Sequence, residues 1–208
     1  METEKRMAEN YEILHAISVG KKEVVFGCDE KAEYPYMTAF CERNDILIFY
    51  NDVVVSADYV EILEEFGKRV AEAAKDLREA NEKESAYIGD NAPYDLARIE
   101  EMPECRTVSY QDDLHGKVII IDPEVLKPEF RKATSQLLYC TGGFGASPYS
   151  RGSACFCRKL YTGESVRFER RDVLATMDPK ALPHWAKENY EKAHAEMTGK
   201  THNRKEAR

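Results

Sequence analysis

The sequence predicts an α+β fold. An N-terminal antiparallel meander and a long amphipathic helix make a βββα unit, and a small β-rich unit with a hairpin and a C-terminal helix follows. Three observations carry this expectation. Apolar and polar residues alternate with period two between Tyr11 and Val55, a helical period replaces it from Tyr59 to Leu77, and short apolar runs separated by turn residues return after Lys117.

In the meander, Tyr11, Ile13, His15 and Ile17 share one face of a first strand, with Glu12, Leu14, Ala16 and Ser18 on the other. Gly20-Lys21-Lys22 is a turn, and Glu23 to Gly27 is the returning strand. A polar stretch leads to a strand over Tyr36 to Cys41. Arg43-Asn44-Asp45 then separates it from Ile46 to Tyr50, with Val53 to Val55 following, for three or four strands in all. Tyr59, Ile62, Leu63, Phe66, Val70, Ala73, Ala74 and Leu77 recur at helical spacing, so their stripe can cover one face of the meander. Ser56 or Asp58 caps the start of this helix, and it ends near Asn81 to Glu84.

Residues 84–106 lose both periods and carry Pro93 and Pro103, which predicts a linker. Lys117 to Ile121 is an apolar strand, and Asp122-Pro123 supplies an N-cap and a first-turn proline for a short helix around Glu124 to Lys132. Gln136 to Cys140 is another strand. Residues 141–153 are too rich in glycine and serine to be regular. Ala154 to Leu160 and Ser165 to Val173 flank Tyr161-Thr162-Gly163-Glu164 as a hairpin. A helix runs from about Pro183 to Met197. The expected organisation is an acidic βββα unit over 8–83, a linker over 84–106, a basic β-rich unit with its C-terminal helix over 107–197, and a disordered tail over 198–208.

A chain of 208 residues with 43% hydrophobic and 10% aromatic residues can bury enough surface to fold, so whole-chain disorder is excluded. The longest apolar runs, such as Val118 to Ile121, are far short of the roughly 20 residues of a spanning helix, so no membrane partner is expected. The charged start, Met1 to Asn10, predicts no secretory signal, and six cysteines in such a chain predict reduced thiols in a cytoplasm. The net charge of −8 is unevenly spread: residues 1–90 carry −10, residues 91–130 carry −5, and residues 131–208 carry +7. Between Arg131 and Arg171, basic residues are interleaved with aromatics. Such a pattern neutralises phosphates and stacks on bases, and it also arises from a small sheet with a cationic face and an aromatic core. The candidate binding surface is Phe144, Tyr149, Arg151, Arg158, Lys159, Tyr161, Arg167 and Arg170.

Several chemistries fit poorly. Gly142-Gly143-Phe144-Gly145 lacks the Gly-Lys-Ser/Thr ending of a phosphate loop and no helix follows it, so backbone geometry is the better account of its glycines. Gly145-Ala146-Ser147-Pro148-Tyr149 resembles the start of a nucleophile elbow, but Pro148 has no amide hydrogen to offer an oxyanion. Cys155 and Cys157 share a strand face that Cys140 can approach. Their spacing is not that of a zinc site, so small buried hydrophobes are expected and no metal or cofactor. None of the five histidines forms a His-Glu-x-x-His pair, and no catalytic residue is assigned.

Tyr11-Glu12-Ile13 through Gly20 to Gly27, and Asp58-Tyr59-Val60-Glu61 to Val70, resemble the front half of a family of small accessory proteins. That family is carried by conjugative elements and phages of anaerobic Gram-positive gut bacteria. Its back half is matched by Thr141 to Gly145, Arg151-Gly152, Leu160 to Gly163, Arg167 to Arg170 with Asp172-Val173, and Leu182 to Ala186. The resemblance spans roughly residues 11–82 and 114–187. It implies a mobile-element setting, in which small acidic accessory proteins often blunt host defences, some as anti-CRISPR inhibitors of an RNA-guided nuclease; with no catalytic residue assigned, the expectation is a non-enzymatic binding protein of that kind. The partner it implies is therefore a protein or ribonucleoprotein. The basic, aromatic back half leaves a second expectation open, a nucleic-acid-binding accessory of element transfer or maintenance.

Overall fold

The computed structural model describes residues 5–43 and 47–206. It is α+β, with two antiparallel sheets in two compact units, residues 1–87 and 88–208.

The first unit is a five-stranded meander in chain order: β1 (Met7–Ala8), β2 (Tyr11–Val19), β3 (Lys22–Cys28), β4 (Tyr36–Arg43) and β5 (Ile48–Ser56). The runs expected at Ile46 to Tyr50 and Val53 to Val55 are one strand, β5, interrupted by a bulge opposite Thr38 and Phe40. Residues 44–46, where a turn and the start of that strand were expected, lie outside the described residues. Helix α1 (Tyr59–Ile88) begins at Asp58, whose carboxylate accepts from Val60 N at 2.8 Å and Glu61 N at 3.3 Å; Ser56 instead bonds Asp58 N. Its stripe covers one sheet face, where Ile62 and Phe66 pack on Val24 and Phe26, with Tyr36, Phe40 and Val70 at the margin. Alternation sends Val25, Met37, Ala39 and Cys41 to the opposite face, where they form a second core with Ala8. Arg6 crosses that face, its guanidinium donating to Glu23, to Cys41 Sγ and to Tyr50 Oη, so residues from four separate strands or their flanks are tied together.

The second unit is built on a six-stranded sheet in the order β10-β9-β8-β7-β11-β6. Its strands are β6 (Cys105–Thr107), β7 (Val118–Ile121), β8 (Leu137–Gly142), β9 (Ala154–Lys159), β10 (Ser165–Glu169) and β11 (Val173–Met177). All four residues of β7 are buried, as befits a central strand covered on both faces. One face, with Val118, Ile120, Leu137, Tyr139, Ala175 and Met177, packs beneath helix α4 (His184–Glu206) through Trp185, Ala186 and Ala193. The other face carries Ile119, Ile121, Leu138 and Val173 beneath Leu114 and Ala146.

Several expectations are corrected here. The stretch 84–106, expected as a linker, begins inside α1, buries Tyr94 and Ile99 in the core under α4, and contains helix α2 (Leu96–Glu100) and part of β6. Gln136, at the end of helix α3 (Ala133–Gln136), holds it in place by accepting from Tyr94 N and donating to Tyr94 O, both at 2.8 Å. The short helix expected around Glu124 to Lys132 is two 3-10 turns, because Pro128 sits where a helix would need an amide donor. The strand expected over Ser165 to Val173 is broken at Arg170–Asp172 by a 3-10 turn, after which β11 pairs with β7 and β6 rather than with β9. The backbone of α4 continues through Glu206, past the Met197 at which a disordered tail was expected, and residues 207–208 lie outside the described residues. Among the described residues no helix is long and apolar enough to cross a membrane.

Candidate functional site

The glycine-rich stretch 141–153 folds back over the end of the second sheet, and close backbone packing explains its glycines. A Cβ at Gly143 would stand 2.3 Å from Ala154 O, and one at Gly145 would stand 2.2 Å from Ser153 O. Gly143 also has φ +102°, a conformation that L side chains avoid. Gly145 O and Ser147 O accept from Arg170 Nη1 at 2.6 and 3.2 Å, so these carbonyls converge on a cation. That polarity is opposite to an anion cradle, in which amide hydrogens converge.

Arg170 is the brace of this end of the molecule. Its Nη2 donates to Ser109 O, Tyr110 O and Asp112 O at 2.8, 3.3 and 2.6 Å, joining residues 109–112 to the glycine-rich loop. The turn 109–112 has its own support. The Ser109 amide, at 2.7 Å, and Arg106, at 2.6 Å, hold the Asp112 carboxyl down at about 2.

On this braced scaffold the aromatics point outward. Phe144 is 80% exposed and Tyr149 is 63% exposed. The Tyr149 backbone has φ +56°, which is uncommon for a bulky residue, and its ring meets Tyr110 edge-on at 5.9 Å. Tyr110, also exposed, donates its hydroxyl to Ser150 O at 2.8 Å. Phe156 of β9 lies exposed beside Gly143, opposite Arg167 in the β9–β10 pairing. A groove of about 420 Å³ opens between the two loops, lined by Tyr110, Ser150, Arg151, Gly152, Arg170 and Arg171.

The eight sequence candidates therefore separate. Phe144, Tyr149, Arg151 and Arg167 are exposed at this end. Arg158 is paired with Glu196 of α4 at 2.9 Å, and Lys159 with Glu164 at 3.2 Å, so both charges are locally balanced. Tyr161 packs against the core under α4, edge-on to Trp185 at 5.8 Å. Arg170 is a positioning residue whose donors are taken by carbonyls. Tyr110 and Phe156 complete the aromatic set. Tyr110 lies in an aperiodic stretch and reaches the site only through the fold, while Phe156 was visible as one of the interleaved aromatics.

The cysteine cluster is close by but inward. Cys140 and Cys157 are partners in the β8–β9 register, and with Cys155 they are buried in the core beneath Leu114. Its hydrogen bond to Cys140, with Cys155 the donor, and burial push the Cys155 thiol up. The bond to Cys155 lowers the Cys140 thiol, but Cys157 and burial outweigh it and leave it raised to about 12. The raised Cys140 and Cys155 thiols stay protonated at neutral pH and are poor nucleophiles. Among the described residues no group of three or more His, Cys, Asp or Glu is placed to hold a metal ion.

No family model, curated protein or solved structure matches this chain. The chemistry available at the site follows from its own residues. Exposed rings offer faces for stacking on bases or packing on apolar side chains, and Arg151 and Arg167 supply positive charge for phosphates or carboxylates.

Proposed function

We propose that this chain is a non-enzymatic binding protein of a mobile element that counters host defence by engaging an RNA-guided CRISPR nuclease. One observation carries the reading: four exposed aromatic rings, Tyr110, Phe144 and Tyr149 on loops braced by Arg170 and Phe156 on β9, stand with Arg151 and Arg167 at this end of the sheet. Such a surface suits a ribonucleoprotein, which presents bases, phosphates and protein side chains together. The first unit adds a net −9 on residues 1–87, a charge suited to the basic nucleic-acid channel of an RNA-guided nuclease. The family resemblance supplies the mobile-element setting. A plasmid-interference assay across a panel of CRISPR systems tests the reading. Plasmid survival should rise with at least one system and fall back with the Phe144→Ala/Tyr149→Ala variant. Unchanged interference across the whole panel, with the protein shown to be expressed, overturns it.

The same aromatic and arginine surface favours a second reading, a nucleic-acid-binding accessory of element transfer or maintenance. In that case the purified chain binds free single-stranded DNA or RNA, and Arg151→Ala with Arg167→Ala weakens binding more than Arg158→Ala, whose charge is already paired with Glu196. Tight binding to free strands with no effect on interference assigns this reading; no binding at low salt removes it.

A further inference from the structure

Sheet edges left open invite another strand, and natural proteins blunt them with short strands, charges or covers. In the second unit both edges are blunted: β6 has three residues, and β10 has five with Arg167 and Glu169 among them. In the first unit one edge is partly covered by β1, which pairs with Glu12 and Tyr11 of β2. The other is β5, nine residues long and paired only with β4 among the described strands. It is not blunted. Ile48, Phe49, Val53, Val54 and Val55 are all exposed, Phe49 at 55% and Val53 at 51%.

The two sides of this edge differ in chemistry. Val54 is paired with Thr38 and lies toward α1, lining a groove of about 490 Å³ with Ile62, Glu61, Glu64, Glu65 and Lys68. Glu61 is bonded by Ser56 and Glu65 by Arg69, while Glu64 has no ion-pair partner among the described residues. Val55, paired with Met37, and Val53, two residues before it, lie on the opposite side.

We propose that β5 is a docking edge for an extended segment of a partner protein, added to the meander as a further strand. Apolar residues of that segment lie beside Val53 and Val55, and alternating Lys or Arg residues face the carboxylates beside Val54. Backbone pairing supplies a strand's affinity, and the alternation sets its register and specificity. Charge selects the occupant. A second copy would bring the same carboxylates onto a unit that already carries −9, and a nucleic-acid strand would be repelled by it. The edge lies wholly in the first unit and stands or falls apart from the aromatic surface of the second.

The test uses the full chain and a fluorescent nine-residue peptide that alternates Lys or Arg with Val. A Glu/Val peptide and a copy of the basic peptide N-methylated at alternate residues serve as controls. Anisotropy should show binding of the basic peptide, weaker by roughly tenfold for the N-methylated copy and for V54K, and several-fold weaker for E64K. Amide exchange should slow in β5 when the peptide is bound. Equal binding of the N-methylated peptide reduces the effect to charge attraction and overturns strand addition. Equal binding of the acidic peptide overturns the charge selection. A concentration-dependent dimer abolished by V54K assigns the edge to a second copy and also overturns the proposal.

Discussion

Arg170 joins two loops that are far apart in sequence, and its guanidinium is committed to carbonyls at residues 109, 110, 112, 145 and 147. Removing it leaves these acceptors without their cation. Arg170→Ala should lower stability by about 2–4 kcal/mol, and Arg170→Lys should recover little of it, because an ammonium cannot span the positions a planar fork reaches. Urea denaturation measures the loss, and a change within about 0.5 kcal/mol would contradict the bracing role. At this scale the sequence showed which charges and rings are present but not which of them are already engaged. Phe144 and Tyr149 were legible as aromatics in a loop that its glycines keep out of a strand. Arg158, Tyr161 and Arg170 were not separable from Arg151 and Arg167, because their partners lie elsewhere along the chain; the partner of Lys159, Glu164, is only five residues on. Glu196 is 38 residues from Arg158, and Asp112 is 58 from Arg170. Charge and ring content are local properties; whether a side chain is already satisfied is not.

Among the elements, the segment following α1 shows how far tertiary contacts override composition. Prolines and scattered acids gave it the look of a linker, yet Tyr94 and Ile99 lie in the core and Gln136 secures the backbone around Tyr94. The Gln136 amide also donates to Ile121 O at 2.7 Å, so one buried side chain joins this segment to β7. Gln136→Leu keeps the volume but strands three buried backbone groups, and should cost about 2–4 kcal/mol. Hydrogen exchange should show residues 88–102 losing protection before the central strands; uniform loss across the unit would contradict a local tether. The meander and α1 were far more legible. Their core faces follow period two and period 3.6 within continuous stretches, and neighbouring strands pair in chain order. The strand split at Arg170–Asp172 was not legible, because β11 leaves its hairpin neighbour for β7 and only the sheet order reveals that choice.

For the whole molecule, charge changes meaning once the units are known. Summed along the chain, residues 131–208 look strongly basic at +7, but the acidic residues 91–130 belong to the same unit, and residues 88–208 together carry +1. The acidity is concentrated instead in the first unit, at −9. If the chain binds single strands through Arg151 and Arg167 alone, log K against log salt should have a slope of about −1.4; a slope near −5 would mean that about seven basic residues reach phosphates. What the sequence by itself determined is what local periodicity and composition encode: an α+β chain, a meander capped by an amphipathic helix, and a glycine-rich loop bearing aromatics. What only the tertiary structure decided is which charges are engaged in pairs, which rings stay outside, where a unit ends, and that β5 is left as an exposed, apolar edge. Those properties depend on residues brought together from distant parts of the chain, and burial and partnership exist only once that chain has closed on itself.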